Sequence, residues 1–244
     1  LDRSSAASDV YKRQAMYTYA VPQVDRVSFV SLVQTDVLHA EVVHTSQLRA
    51  RVEQCLHSRE PLAIVQAVSE YLPYLLGLYD CVLRDTILLR DDVHLTWHSM
   101  LVSSKFRLHG LLSEVCLMHM LYACSLRAEA ATIVEALGAY ELGAHDRKAC
   151  DDRLRVAIDL LCRASGVCEY VATQLLPTYP APPSKSAYPP ELVSEGVQAC
   201  SKLAMADAHA LAIRKLLVPY ARHHGPPLPP QHPSPSLLAK LHLH

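Results

Sequence analysis

The scarcity of glycine constrains this chain most. Seven glycines are scattered through 244 residues. That leaves little material for the tight turns of a many-stranded sheet, and none for a glycine-rich phosphate loop. Half of the residues are apolar and 19% are charged, enough apolar surface to bury a sizeable core. A mostly all-α fold is therefore expected.

Apolar residues recur at helical spacing over most of the chain. Leu48, Val52 and Cys55 predict a helix over residues 46–57. Pro61 opens a longer one carrying Ile64, Val65, Val68, Leu72, Leu75, Leu76, Tyr79 and Val82, with a kink expected at Pro73. Further helices are predicted over residues 104–126, 129–142 after a possible break, 146–176 and 191–218. Ser236 is expected to cap a last helix that runs to His244. Proline-rich loops cover residues 177–190 and 219–235.

One stretch follows a different period. Val93, Leu95 and Trp97 alternate with His94, Thr96 and His98, the signature of a half-buried strand. Residues 16–21 also alternate, so the two segments are expected to pair as a small sheet at one end of the helical body. Trp97 is in phase with Val93 and Leu95 and is expected to anchor this strand against the helices.

The ends set the domain boundaries. Residues 4–14 read SSAASDVYKRQ, which matches the in-frame translation of a transposase sequencing adapter. Residues 1–14 are accordingly expected to be a disordered assembly scar. Residues 16–244 are expected to form the N-terminal part of one domain, cut short at its C-terminus. Eight cysteines contain no C-x-x-C pair. Most fall in apolar helical stretches, where a thiol acts as a small hydrophobe, and a reducing, cytoplasmic setting is expected.

Motifs for chemistry are weak. The formal net charge of −1 gives no field for nucleic acid. The apolar run of residues 115–126 is too short to span a bilayer. In His39-Ala-Glu-Val-Val-His44 the histidines are five apart, whereas a zinc-protease helix needs them four apart with glutamate next to the first. A Cys–His nucleophile pair cannot be read from spacing, and no glycine-flanked elbow supports one. The 14 histidines invite a direct pH sensor, yet His223–His224 is their one evident cluster. Tyr188-Pro-Pro-Glu-Leu192 reads as a lead into a helix rather than a docking motif. Arg49, Arg51 and Glu53 read as a solvated helix face. Arg147, Lys148, Arg153 and Arg155 form a basic group neutralised by Asp146, Asp151 and Asp152. No catalytic residue, cofactor or metal is therefore assigned.

The order of several blocks carries more information. Tyr71-Leu-Pro-Tyr74 and Tyr79-Asp80 lead into Val93-His-Leu-Thr-Trp97. Ser113-Glu-Val-Cys116 and Ala123-Cys-Ser-Leu126 follow, then Arg153-Leu-Arg-Val-Ala157 through Gly166-Val-Cys-Glu-Tyr170. Pro189-Pro-Glu191 precedes Leu203-Ala-Met-Ala-Asp-Ala208 and Lys215, and Ser236-Leu-Leu-Ala-Lys-Leu-His242 comes last. In order and spacing this resembles the Bro-type (Bro-one) domain, closest to the fungal PalC pH-response family and more distantly to Alix. The resemblance implies a curved helical-repeat boomerang and a noncatalytic adaptor in ambient-pH signalling. It also implies cytoplasmic location with recruitment to the cell cortex or endosomes. The implied partners are a cortical pH-sensing complex and the C-terminal amphipathic helix of an ESCRT-III subunit. An Alix-like endosomal sorting adaptor without a pH role is the alternative, and an unrecognised helical hydrolase a weaker one.

Residues 191–218 fit such a partner. Val197, Cys200, Leu203, Ala204, Ala208 and Leu211 form one apolar stripe, assigned to the core. Met205, His209 and Ile213, at i, i+4 and i+8, lie on another face and are the expected partner-binding residues.

Overall fold

A computed structural model describes residues 16–34, 38–138, 147–180, 187–218 and 233–243. The expected scar, the bulk of the second proline-rich loop and part of the first lie outside the described residues. Helix α1 (His39–Ser58) is bounded by Leu38 and Arg59, both left-handed at φ 59° and 57°. Arg59 reverses the chain, and Pro61 opens α2 (Pro61–Leu83) at its first turn, where the missing N–H costs nothing. α2 continues through Pro73. By length and composition it is apolar enough to cross a membrane. Ile64, Ala67, Val68, Tyr71, Leu75 and Leu78 are instead buried in the core.

Strands β1 (His94–His98) and β2 (Lys105–His109) then form an antiparallel hairpin in which Trp97 faces Phe106 and Leu95 faces Leu108. The strand predicted over residues 93–98 is present, but its partner differs from the expectation. Residues 16–21 form no strand. The N-terminal segment runs along the free edge of β1 through a single bridge, Val24 to Trp97. The His98 N–H also donates to the Gln23 carbonyl at 3.1 Å. β2 was expected to be helical. Leu108 turns inward and Lys105, Arg107 and His109 outward, a period of two directly abutting the next helix.

Helix α3 (Leu111–Leu137) starts at Gly110, whose φ of 85° lets the strand turn sharply into a helix. It runs unbroken through the break expected before residue 129. Residues 113–121 are buried on every face, so α3 is the central rod. Helix α4 (Arg147–Tyr170) passes into a π turn (Val171–Leu175) and a 3-10 turn (Leu176–Thr178) at Pro177. Helix α5 (Ser194–Leu217) follows a short 3-10 turn, Pro190–Leu192. Helix α6 (Pro235–Leu243) is capped two residues earlier than expected, because Pro235 takes the first helical position. The Leu237 N–H therefore donates to Ser234 Oγ at 3.2 Å.

Each helix packs on the next, from α1 to α6. The larger core cluster joins α1–α4, the hairpin and the start of α5. A second joins Ala130, Val134 and Leu137 of α3 to Leu154, Ala157 and Leu161 of α4 and to Ala208 and Leu211 of α5. The fold is thus mostly helical with a small two-stranded sheet, as expected.

Gly196 fixes the entry of α5. A Cβ there would lie 2.3 Å from the Pro190 carbonyl oxygen, so backbone would have to move. Gly196→Ala is expected to destabilise by about 1–3 kcal/mol. Gly166, also helical, has open space around its Cα. Gly166→Ala should be neutral or slightly stabilising. Urea unfolding of the two variants side by side checks the contrast.

Candidate functional site

Helix α5 separates its residues into two faces. Val197, Cys200, Ala204, Ala208 and Leu211 are buried against the helical body. Met205, His209 and Ile213 lie off that arc and are half-buried. Leu203 departs from its core assignment: it is 38% exposed. The buried arc is centred on Ala204 and Ala208. Leu203 lies one residue, about 100°, round from Ala204 and falls outside it. Together with Leu216, also partly exposed, it widens the apolar outer surface of α5.

Three polar contacts hold that surface in place. Arg127 of α3, 2% exposed, donates from Nε to Asp207 Oδ2 at 3.1 Å and pairs with the same oxygen through Nη2. Its Nη1 donates to the Tyr17 carbonyl at 2.6 Å, and its guanidinium sits 5.1 Å from the centre of the Tyr19 ring. One buried cation therefore joins α3, α5 and the N-terminal segment. Near the end of α5, Arg214 donates to the Gly138 carbonyl, tying α5 to the end of α3.

The third contact lies just before α5. Glu191 is fully buried. Its Oε1 accepts from Trp97 Nε1 at 3.3 Å and from the Met100 N–H at 2.5 Å, and Ser99 Oγ lies 2.9 Å from both carboxylate oxygens. Ser99 Oγ in turn accepts the N–H groups of Leu101 and Val102 at 3.1 Å. The carboxylate thereby organises the hairpin loop and docks it against the lead-in to α5. Tyr188-Pro-Pro-Glu-Leu192 is accordingly a structural lead-in, with Leu192 and Glu191 both buried.

The buried thiols among the described residues are not activated. Burial pushes the Cys116 and Cys168 thiols up to about 12 and raises those of Cys124 and Cys200. A protonated, buried thiol is inert. Burial lowers the pKa of His119, whose Nδ1 contacts the Val115 carbonyl at 2.7 Å. Among the described residues no group of three or more His, Cys, Asp and Glu could hold a metal ion. His39 and His44 both lie on α1, where the His44 ring meets the edge of Tyr74 with centroids 4.7 Å apart. Arg147, Lys148, Arg153 and Arg155 are exposed along α4.

The solvated face assigned to Arg49, Arg51 and Glu53 needs correction at one position. Arg51 is exposed and pairs with Glu70. Arg49 is 1% exposed and donates to Glu114 of α3 at 2.5 Å. Sequence reasoning also missed Arg127, Asp207 and Glu191. For Arg127 and Asp207 the one local signal is a charged residue set among positions that are buried at helical spacing, whereas Glu191 lies in a 3-10 turn and carries no such signal.

No protein-family model matches the chain. It is similar to the pH-response regulator protein palC of Cryptococcus neoformans var. neoformans serotype D (strain B-3501A). The two are 32% identical over 265 aligned residues, covering 93% of this chain and 54% of that protein. The chain therefore spans about half the length of the curated relative it matches.

Proposed function

We propose, from this closeness to the palC family of pH-response regulators, that the chain is part of a noncatalytic adaptor in fungal ambient-pH signalling. The observation that carries the reading is the likeness to a pH-response regulator along 93% of the chain. The adaptor works in the cytoplasm and is recruited to the cell cortex or endosomes by a pH-sensing complex. It receives the C-terminal amphipathic helix of an ESCRT-III subunit on the outer surface of α5. Two features favour that surface. Met205, His209 and Ile213 form a half-buried stripe clear of the buried arc. The helix bearing them is pinned through Asp207 to the buried Arg127, so the surface is preformed and little ordering is needed on binding.

Met205→Asp in the full-length protein tests the site. An unpaired charge buried under a partner helix is costly, whereas at the half-buried Met205 position alone it keeps access to water. Binding to the ESCRT-III C-terminal helix should fall at least about tenfold, the equivalent of about 1.4 kcal/mol, with the circular dichroism spectrum and melting point retained. Unfolding of the variant would assign Met205 to the core instead. Absence of binding by wild-type protein at high micromolar concentration would overturn the proposed function.

A further inference from the structure

The hairpin register brings together two histidines that lie fifteen residues apart in the sequence. His94 of β1 stands directly opposite His109 of β2. Both side chains point outward and are exposed, because Leu95, Trp97 and Leu108 take the inward positions of the same strands. Their Nδ1 atoms share a hydrogen bond of 2.7 Å, one ring donating and the other accepting, and the rings meet edge to face with centroids 4.7 Å apart. Two imidazole nitrogens thus converge on one point of a rigid, well-packed scaffold.

We infer that His94 and His109 form a two-imidazole chelate for a divalent transition metal, Cu2+ above all. Neutral imidazole is the commonest protein ligand for such ions. Among first-row dications a nitrogen site binds Cu2+ most tightly. With metal–nitrogen bonds of about 2.0–2.1 Å, cis nitrogens in a tetragonal site are about 2.9 Å apart, and in a tetrahedral site about 3.3 Å. Opening the 2.7 Å hydrogen-bonded contact to either separation takes a shift of only a few tenths of an ångström. Transfer of the bridging proton to Nε2 of its own ring, with a small turn of each ring about χ2, directs both Nδ1 lone pairs to a shared ion. The remaining positions face water and stay open to a ligand from solvent or from a partner. Arg107, on the next outward rung, opposes a dication, while the exposed Asp91 and Asp92 just before β1 offset it.

The test is titration of the whole chain with Cu2+ alone, by calorimetry, followed by electron paramagnetic resonance of the one-to-one complex. The tightest site should show two equivalent nitrogen ligands. His94→Ala and His109→Ala should each weaken it by at least about tenfold, since one imidazole cannot chelate, and the double variant at least as much. His98→Ala, on the same outward face but outside the pair, should stay within about twofold of wild type. Zn2+ should bind at least about tenfold more weakly than Cu2+. Exposed positions tolerate alanine; His94→Asn and His109→Gln repeat the measurement if a metal-free alanine variant melts early. Unchanged affinity in both single variants would place the metal elsewhere, for example at His223–His224, and would overturn the assignment. Equal binding of Zn2+ would overturn the Cu2+ preference.

Discussion

Replacing Glu114 by alanine is expected to destabilise the protein by about 3–5 kcal/mol, because it strands a buried guanidinium. The Arg49 and Glu114 side chains are each 2% exposed. Arg49 Nε donates to Glu114 Oε1 at 2.5 Å, and the Tyr71 hydroxyl donates to the same oxygen at 3.2 Å. Arg49 Nη2 reaches the Asp25 carbonyl at 3.3 Å. The cluster therefore ties α1, α2, α3 and the N-terminal segment together. Burial by itself lowers the Arg49 pKa, but the neighbouring Glu114 and Tyr71 reverse this and the net shift is upward. The guanidinium accordingly stays charged. Among the described residues its Nη1 has no hydrogen-bond partner, so the cation depends heavily on this one carboxylate. In a chain of this length the loss should lower the melting midpoint by roughly 6–20 °C. An apolar pair, Arg49→Met with Glu114→Leu, should recover most of it, since replacing both partners removes the stranded charge. A Glu114→Ala variant within about 1 kcal/mol of wild type in urea unfolding would show that water or a shifted neighbour satisfies the arginine.

How much of this was legible from the sequence depended on the range of the interaction. Pro61 and the recurrence from Ile64 to Val82 announced α2, and the alternation from Val93 to His98 announced β1. Both patterns are local: a period and a start signal within one element. β2 was hidden because Phe106 and Leu108 also fit the spacing of the helix that begins at Leu111. Five residues cannot outweigh a 27-residue helix beside them. Arg49 looked solvated because its type is usually solvated, and its partner is 65 residues away. Asp207 stands 80 residues from Arg127, and Glu191 stands 94 from Trp97. No local pattern encodes pairings at such separations. The outer stripe of α5 was readable, since a continuous helix converts spacing directly into a face. The width of its buried arc was not, because that depends on how closely α4 approaches the small Ala204 and Ala208, and so Leu203 was misplaced.

Trp97→Ala is expected to cost about 3–5 kcal/mol, the range for deleting a large buried aromatic. Trp97 is the one tryptophan of the chain and is 1% exposed. Its ring lies in the core between helices and hairpin, in register with Phe106 and bridged to Val24. Truncation would open a cavity at the point where β1, β2 and the N-terminal segment meet. It would also take one donor from the fully buried Glu191. Trp97→Phe separates these two contributions. It retains much of the apolar volume but loses the indole N–H. Glu191 then still accepts from Ser99 Oγ and from the Met100 N–H. The missing bond alone should cost about 0.5–1.5 kcal/mol, somewhat more if the carboxylate is left under-satisfied. The expected order in urea unfolding is therefore wild type, then Trp97→Phe, then Trp97→Ala well below both. Far-ultraviolet circular dichroism should be the probe, because each variant removes the fluorophore. A Trp97→Ala variant as stable as wild type would refute the anchoring role. A Trp97→Phe variant as unstable as Trp97→Ala would shift the weight from ring packing to the Glu191 hydrogen bond, and with it the mechanism that holds the hairpin against the start of α5.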